Sequence, residues 1–393
     1  MNERNRWWVV GVFYLSSCVN YLDRQILAFV SPEFNKEFGL NLEQYGQVTA
    51  AFSLMYLIGS PLMGWFLDKV GLNLGTTVAL TWWSICGMAR GLTTGLGGLV
   101  AAHGLLAIGE AAGIPSTAKA AQTYLKQEER AVGSAMSQFG LTLGMMGAAT
   151  IANLCMSHWG WRSAFFVAGW LGLLWIPLWW WASRKAPAQE AAPESKGYDA
   201  GLILRERQMW GFFVANILSL GIFLFGTTWL NHYLILTYRM DSKAANQLTS
   251  WVSVVSLMGS FAGGAISMRL IRSGWKPLAA RRRVYLFGAL GMLLVALVPQ
   301  AGSVELAVAL FALGYFSSSM ASVNLYTMPL DAYGGSNAAF AVSLLTTGYG
   351  VLQFFASPLI GRVADRQGFG PVFAVIALPP LFAYALLEWT KKK

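Results

Sequence analysis

Apolar stretches of about twenty residues, separated by short polar breaks, recur along the whole chain. With about 20 apolar residues taken as one membrane crossing, twelve helices are predicted. They lie near residues 7–30, 44–67, 74–93, 97–118, 131–155, 162–182, 209–235, 247–270, 283–300, 304–329, 337–360 and 370–390. The one long polar insertion, 184–208, divides the chain into an N-terminal six-helix bundle, 1–183, and a C-terminal six-helix bundle, 209–393.

Composition agrees with this pattern. The 393 residues are 55% hydrophobic and 12% charged, against a charged fraction of about 25% in soluble domains, so the chain reads as an all-α, polytopic protein whose surroundings are a lipid bilayer. A net charge of +10 could point to nucleic acid, but the bases fall in loops between apolar segments rather than on one face. Nucleic acid is therefore not expected as a partner. Lys and Arg crowd the loops at 4–6, 69, 126–130, 184–185, 272–283 and 391–393, whereas the opposite loops at 33–37, 239–243 and 362–366 are mixed. The positive-inside rule then puts both termini in the cytoplasm. Cys18, Cys86 and Cys155 all lie in apolar segments without metal-like spacing and read as packing residues. The first apolar run is too long for a cleaved leader and carries Asp23-Arg24 where a cleavage site would be needed.

Charges inside spans are the candidate chemistry, because each costs about 2.5–3.5 kcal/mol unless it faces protein or water. Asp23 and Arg24 are adjacent in the first span, so on a helix their side chains diverge by about 100°. One is expected to face a cavity and the other a neighbouring helix. A guanidinium offers a planar fork that grips a carboxylate in two places, and a carboxyl can carry a proton. In the fourth span His103 and Glu110 share one face, about 10 Å apart along the axis. Partial desolvation makes Glu110 a plausible proton carrier. Tyr21, Tyr56, Gln138, Asn216, Asn231, Asn324, Tyr326, Thr346 and Thr347 are polar positions inside spans that could line a cavity, since hydroxyls and amides both donate and accept. Each taken singly reads as interhelical glue. His232, at the outer end of the seventh span, reads as interfacial. The run from Trp175 to Trp181 reads as an aromatic belt at the cytoplasmic interface. No metal-ligand cluster, nucleophile–base pairing or phosphate loop stands out, so neither an enzyme nor a cofactor is expected.

Between the second and third spans stands Gly64-Trp65-Phe66-Leu67-Asp68-Lys69-Val70-Gly71. Its glycines allow a tight turn against a neighbouring helix, and Asp68 can cap a helix or pair across a gate. The second half has Gly264, Arg269, Arg272 and Gly274 at the matching place but lacks the acid. The octapeptide resembles the signature of the major facilitator superfamily, whose fold has two six-helix bundles. Taken with Asn20-Tyr21-Leu22-Asp23-Arg24, Gly109-Glu110-Ala111-Ala112-Gly113-Ile114-Pro115 and Glu129-Arg130-Ala131, it resembles that superfamily's anion:cation symporters. The resemblance implies proton-driven uptake of an organic anion, best a hexuronate or related sugar acid, by alternating access around a central site. Small monocarboxylates or aromatic acids, and a proton-driven efflux antiporter of the same fold, are the alternatives. It also implies Arg24 on the substrate carboxylate, Asp23 and Glu110 as proton sites, Tyr21, Tyr56 and Asn216 as sugar-acid contacts, and Gly64, Asp68, Lys69 and Gly71 as the gate motif. Many members carry Arg where this chain has His103. A monomer in a bacterial cytoplasmic membrane is expected.

Overall fold

The computed structural model describes residues 3–40, 42–184, 200–240, 242–333 and 337–391; most of the 184–208 junction, and the side chains of Asn231 and His232, lie outside the described residues. Every regular element among the described residues is a helix. The first half holds α1 (Glu3–Phe38), α2 (Leu42–Val70), α3 (Leu72–Arg90), α4 (Leu96–Glu110), α5 (Gly113–Tyr124), α6 (Arg130–His158) and α7 (Trp161–Ser183). The second holds α8 (Ala200–Arg205), α9 (Arg207–Ser219), α10 (Gly221–Leu224), α11 (Leu230–Tyr238), α12 (Ser242–Arg272), α13 (Pro277–Met292), α14 (Val304–Tyr333), α15 (Ala338–Gln367), α16 (Gly370–Ala377) and α17 (Pro379–Trp389). Among the described residues, ten segments are long and apolar enough to cross a membrane. The 36-residue α1, its apolar run interrupted by Asp23 and Arg24, and the 19-residue α3 complete the twelve. Leu54, Ile58, Leu62 and Trp65 form an exposed apolar stripe along α2, at the spacing of one helix face. Such a stripe suits hydrocarbon and makes this an integral membrane protein.

The helices group into two compact units. The first contains residues 1–125, 136–200 and 333–347; the second contains 126–135, 201–332 and 348–393. Each unit thus incorporates a short segment from the other half of the sequence.

Within the first unit, Phe13, Trp83, Trp175 and Trp179 form one buried cluster, and Phe34, Leu99, Trp161 and Phe165 belong to another. Part of the tryptophan run therefore departs from a belt. Trp175 and Trp179, four residues apart and so on one helix face, stack on each other at 5.7 Å and pack edge-on against Phe13. Trp175 also donates its indole N–H to the Val12 carbonyl at 2.9 Å. Trp180 and Trp181 are the exposed members. Helices approach closely at small residues: a side chain at Gly144 of α6 would run into the α1 backbone at Cys18.

The Gly64–Gly71 motif has a concrete geometry in this unit. Gly71 adopts φ +88°, a left-handed turn that glycine accepts without strain. A Cβ at Gly64 would overlap Ser343, so α2 and the start of α15 touch at this point. Asp68 accepts the Ala339 and Phe340 backbone N–H groups at 3.3 and 2.7 Å, capping α15 from a different helix. Its Oδ1 also pairs with the nearly buried Lys119 ammonium at 2.6 Å. Lys69 instead lies over the Trp65 ring at 4.9 Å.

In the second unit the acid missing from the Gly264 motif is supplied by α14. Asp331 receives Arg130 at 2.9 Å and the fully buried Arg281 at 3.1 Å. Arg281 also donates to the Ser267 hydroxyl at 2.8 Å and to the Gln127 carbonyl at 2.6 Å. A Cβ at Gly264 would press on the Ala131 backbone. The seventh span is not one continuous helix, because a π-type turn at Phe225–Trp229 separates α10 from α11. Phe225, Tyr233, Phe311 and Phe373 pack around that turn, with Phe225 and Phe373 centred 4.8 Å apart.

Asp68→Ala removes the α15 cap and leaves the Lys119 ammonium without its carboxylate. A loss of about 3–5 kcal/mol is expected, read as a lower melting temperature of the purified protein, and adding Lys119→Met should recover part of it.

Candidate functional site

The site grows from the adjacent charges of α1. Asp23 and Arg24 point in different directions, as successive residues on a helix must, and each finds a different partner. Arg24 donates Nε–H to Glu110 Oε2 at 2.8 Å, and the guanidinium side chain is 20% exposed while Glu110 is fully buried. Asp23 turns the other way, into a buried ion pair with Arg90 of α3.

Three rings surround the Arg24 guanidinium. Tyr21, one turn earlier on α1, lies at 4.8 Å, and Phe52 and Tyr56 of α2 lie at 4.7 and 5.0 Å. The α2 rings are four residues apart and stack at 5.7 Å, so one helix face presents both. Each can attract the cation through its π face. His103 of α4 is buried, with its ring centre 4.9 Å from that of Phe52, so Phe52 contacts both His103 and the Arg24 guanidinium.

Local sequence explains why Glu110 stands where it does. It ends α4; Ala111 and Ala112 form a turn and α5 begins at Gly113. Pro115 cannot continue an uninterrupted ladder. At this break the Glu110 carbonyl accepts from the Asn20 amide at 3.5 Å. A Cβ at Gly109 would overlap Trp82 and Trp83, so that glycine brings the break close to α3. Arg24 Nη2, Glu110 Oε1 and His103 Nδ1 are buried and have no protein partner. A permanent cation with an open donor beside a titratable acid with an open acceptor is suited to holding an oxyanion and moving a proton.

The remaining predicted positions divide. Gln138 is half-buried on α6. Thr346 hydrogen-bonds the Ser60 hydroxyl of α2 and donates to the Ser343 carbonyl at 2.8 Å, while Thr347 donates to the same carbonyl of its own helix at 3.0 Å. In the second unit the Asn216 amide donates to the Tyr326 hydroxyl at 3.5 Å. Asn324 gives its amide N–H groups to the Gly263 and Met320 carbonyls at 3.1 and 3.0 Å. Two contributors were not singled out from sequence, Arg90 and Phe52. Arg90 carried the same signal as Asp23, a charge inside a span. Phe52 carried only its place one turn before Tyr56. Among the described residues no group of three or more His, Cys, Asp or Glu gathers as a metal site.

Phe52→Leu keeps most of the volume and removes one π face from the cation. A stability loss of about 0.5–2 kcal/mol is expected, measurable by thermal melting, and it should vanish when Arg24 is already replaced by Met.

Comparison with known proteins matches this architecture. The family model described as Major Facilitator Superfamily matches residues 13–280. The hexuronate transporter of Escherichia coli strain K12 is 25% identical over 404 residues, covering 98% of this chain and 93% of that protein. The probable sulfoacetate transporter of Cupriavidus necator is 26% identical over 412 residues, covering 98% and 95%. Among solved structures, the E. coli fucose:proton symporter superposes with a TM-score of 0.74 at 13% identity, covering 99% of this chain and 98% of its own. Twelve helical spans, a Gly64–Gly71 turn whose Asp68 caps α15 and a family match over residues 13–280 lead to one assignment: the chain belongs to the Major Facilitator Superfamily.

Proposed function

We propose that the protein is a proton-coupled symporter that imports an organic anion, with a hexuronate or related sugar acid as substrate, by alternating access. The observation that carries this reading is the Arg24 guanidinium shared between Glu110 and three rings, with donor capacity still open. While Glu110 is ionised it occupies the fork that a substrate carboxylate needs. Protonating Glu110 weakens that pair and frees Arg24 for the incoming anion; releasing the proton returns Glu110 to Arg24 and displaces the substrate. Proton and anion therefore favour each other's binding. The hexuronate relative supports a sugar acid, and the hydroxyls of Tyr21 and Tyr56 beside Arg24 suit a polyhydroxylated ligand. The sulfoacetate relative supports a second reading, a small acid taken up by the same Arg24–Glu110 exchange.

The test uses purified protein in liposomes with radiolabelled D-glucuronate, D-galacturonate and sulfoacetate, under an imposed inward proton gradient. Gradient-driven accumulation of a uronate is expected; accumulation of sulfoacetate alone selects the second reading, and gradient-driven depletion of a preloaded acid replaces import by antiport. Arg24→Ala should lose binding by about 2–5 kcal/mol, roughly 30-fold or more. Glu110→Gln should still exchange labelled for unlabelled substrate yet fail to concentrate it. Normal accumulation by that variant would remove Glu110 from the mechanism.

A further inference from the structure

Two carboxylates lie in the interior of the first unit, and their settings differ. Glu110 faces Arg24, whose side chain is partly exposed and has rings and an open donor in reserve. Asp23 faces Arg90, and both are sealed, at 1% and 0% exposure; Asp23 Oδ2 and Arg90 Nη1 also lack a partner among the described residues, so what separates the two pairs is the solvent access of Arg24. Arg90 is held by more than the charge. Its Nη2 also donates to the Asp23 backbone carbonyl at 3.2 Å, its Nε donates to the Gly87 carbonyl at 3.2 Å, and its guanidinium lies 4.5 Å from the centre of the Phe165 ring of α7. The Asp23 carboxylate lies close against Gly87, where a Cβ would overlap it, so α3 closes that side of the acid.

We infer that Arg90 holds Asp23 permanently as a carboxylate, leaving Glu110 as the acid of this cluster that gains and loses a proton, so that one proton accompanies each substrate anion. A guanidinium keeps its charge at any physiological pH. Protonating Asp23 would leave Arg90 charged and alone in a sealed interior, with no incoming anion able to replace the lost partner. Protonating Glu110 leaves Arg24 with solvent access and an exchangeable substrate carboxylate. The ionisable groups facing Asp23 are Arg24 on its own helix, Arg90 and Cys86 on α3, and Glu110 on α4; α7 contributes only the Phe165 ring. In each cycle one O–H bond forms on Glu110 from external water and breaks toward cytoplasmic water, while the Asp23–Arg90 pair carries no proton. Arg90 is a positioning residue in this scheme. It also supplies, from α3, a permanent cation in the chain that has His103 on α4.

The proton count rests on the symport reading, whereas the identity of the titrating acid does not, and the test separates them. Infrared difference spectra of the purified, substrate-free protein between acid and alkaline buffer should include, besides the bands of exposed acids, a protonated-carboxyl band that disappears in Glu110→Gln and persists in the charge-neutral double variant Asp23→Asn/Arg90→Gln. Loss of the band in the double variant, or a second band that goes with Asp23→Asn, overturns the inference. In liposomes, D-glucuronate uptake with one proton is electroneutral, so a potassium diffusion potential should leave its accumulation unchanged in the wild type. Arg90→Gln, which frees Asp23 to titrate, should raise the proton-to-substrate ratio from one to two and make uptake sensitive to potential. A wild-type ratio of two overturns the inference. If no sugar acid is carried at all, the symport reading fails while the infrared result still decides which acid titrates.

Discussion

A charge inside a membrane span must find an opposite charge or water, and the first unit is arranged around that requirement. Insertion of each charge costs about 2.5–3.5 kcal/mol, and stranding one member of a buried pair costs about 3–5 kcal/mol. Asp23, Arg24, Arg90 and Glu110 meet the requirement as two acid–base pairs. The pairs are made by neighbours in sequence that diverge in space, because α1 sends Asp23 toward α3 and Arg24 toward α4. Division of labour between adjacent residues is therefore a consequence of helix geometry.

Packing turns this electrostatic balance into a specific site. Gly87 lets Asp23 lie against α3 and Gly109 lets the α4–α5 break lie against Trp82 and Trp83. Side chains at these positions would displace the carboxylates from their partners. The rings of Tyr21, Phe52 and Tyr56 surround the exposed side of the pair, giving Arg24 attraction that does not compete for its hydrogen-bond donors. The outcome is two carboxylate–guanidinium pairs, one sealed on both sides and one whose arginine is partly exposed.

The Asp68 and Asp331 clusters show the same economy with different chemistry. Asp68 neutralises Lys119 and caps α15, while Asp331 receives two guanidiniums, one of them fully buried. A cap needs acceptors aimed at backbone N–H groups, and an arginine pair needs oxygens aimed at a planar fork; a carboxylate supplies either. The acid of the second region comes from α14 rather than from the Gly264 motif itself, so a comparison of the two motifs in sequence finds it absent while the folded unit contains it.

Hydrophobic periodicity by itself determined the all-helical membrane architecture and the number of spans, because hydrocarbon thickness sets span length and admits few polar residues. It also located Asp23, Arg24 and Glu110 as charges needing partners, and the Gly64–Gly71 turn. The sequence did not determine which charge meets which. A helix's own period gives the direction of each side chain around its axis and says nothing about the helix that lies in that direction. Tertiary packing alone decided that Asp23 meets Arg90, that Phe52 contacts both His103 and Arg24, that Trp175 and Trp179 face the interior, and that Asp331 receives Arg130 and Arg281. Thr346 and Asn324 illustrate the same limit: a hydroxyl or amide in a span can serve a ligand or a neighbouring backbone, and only the position of the next helix distinguishes the two.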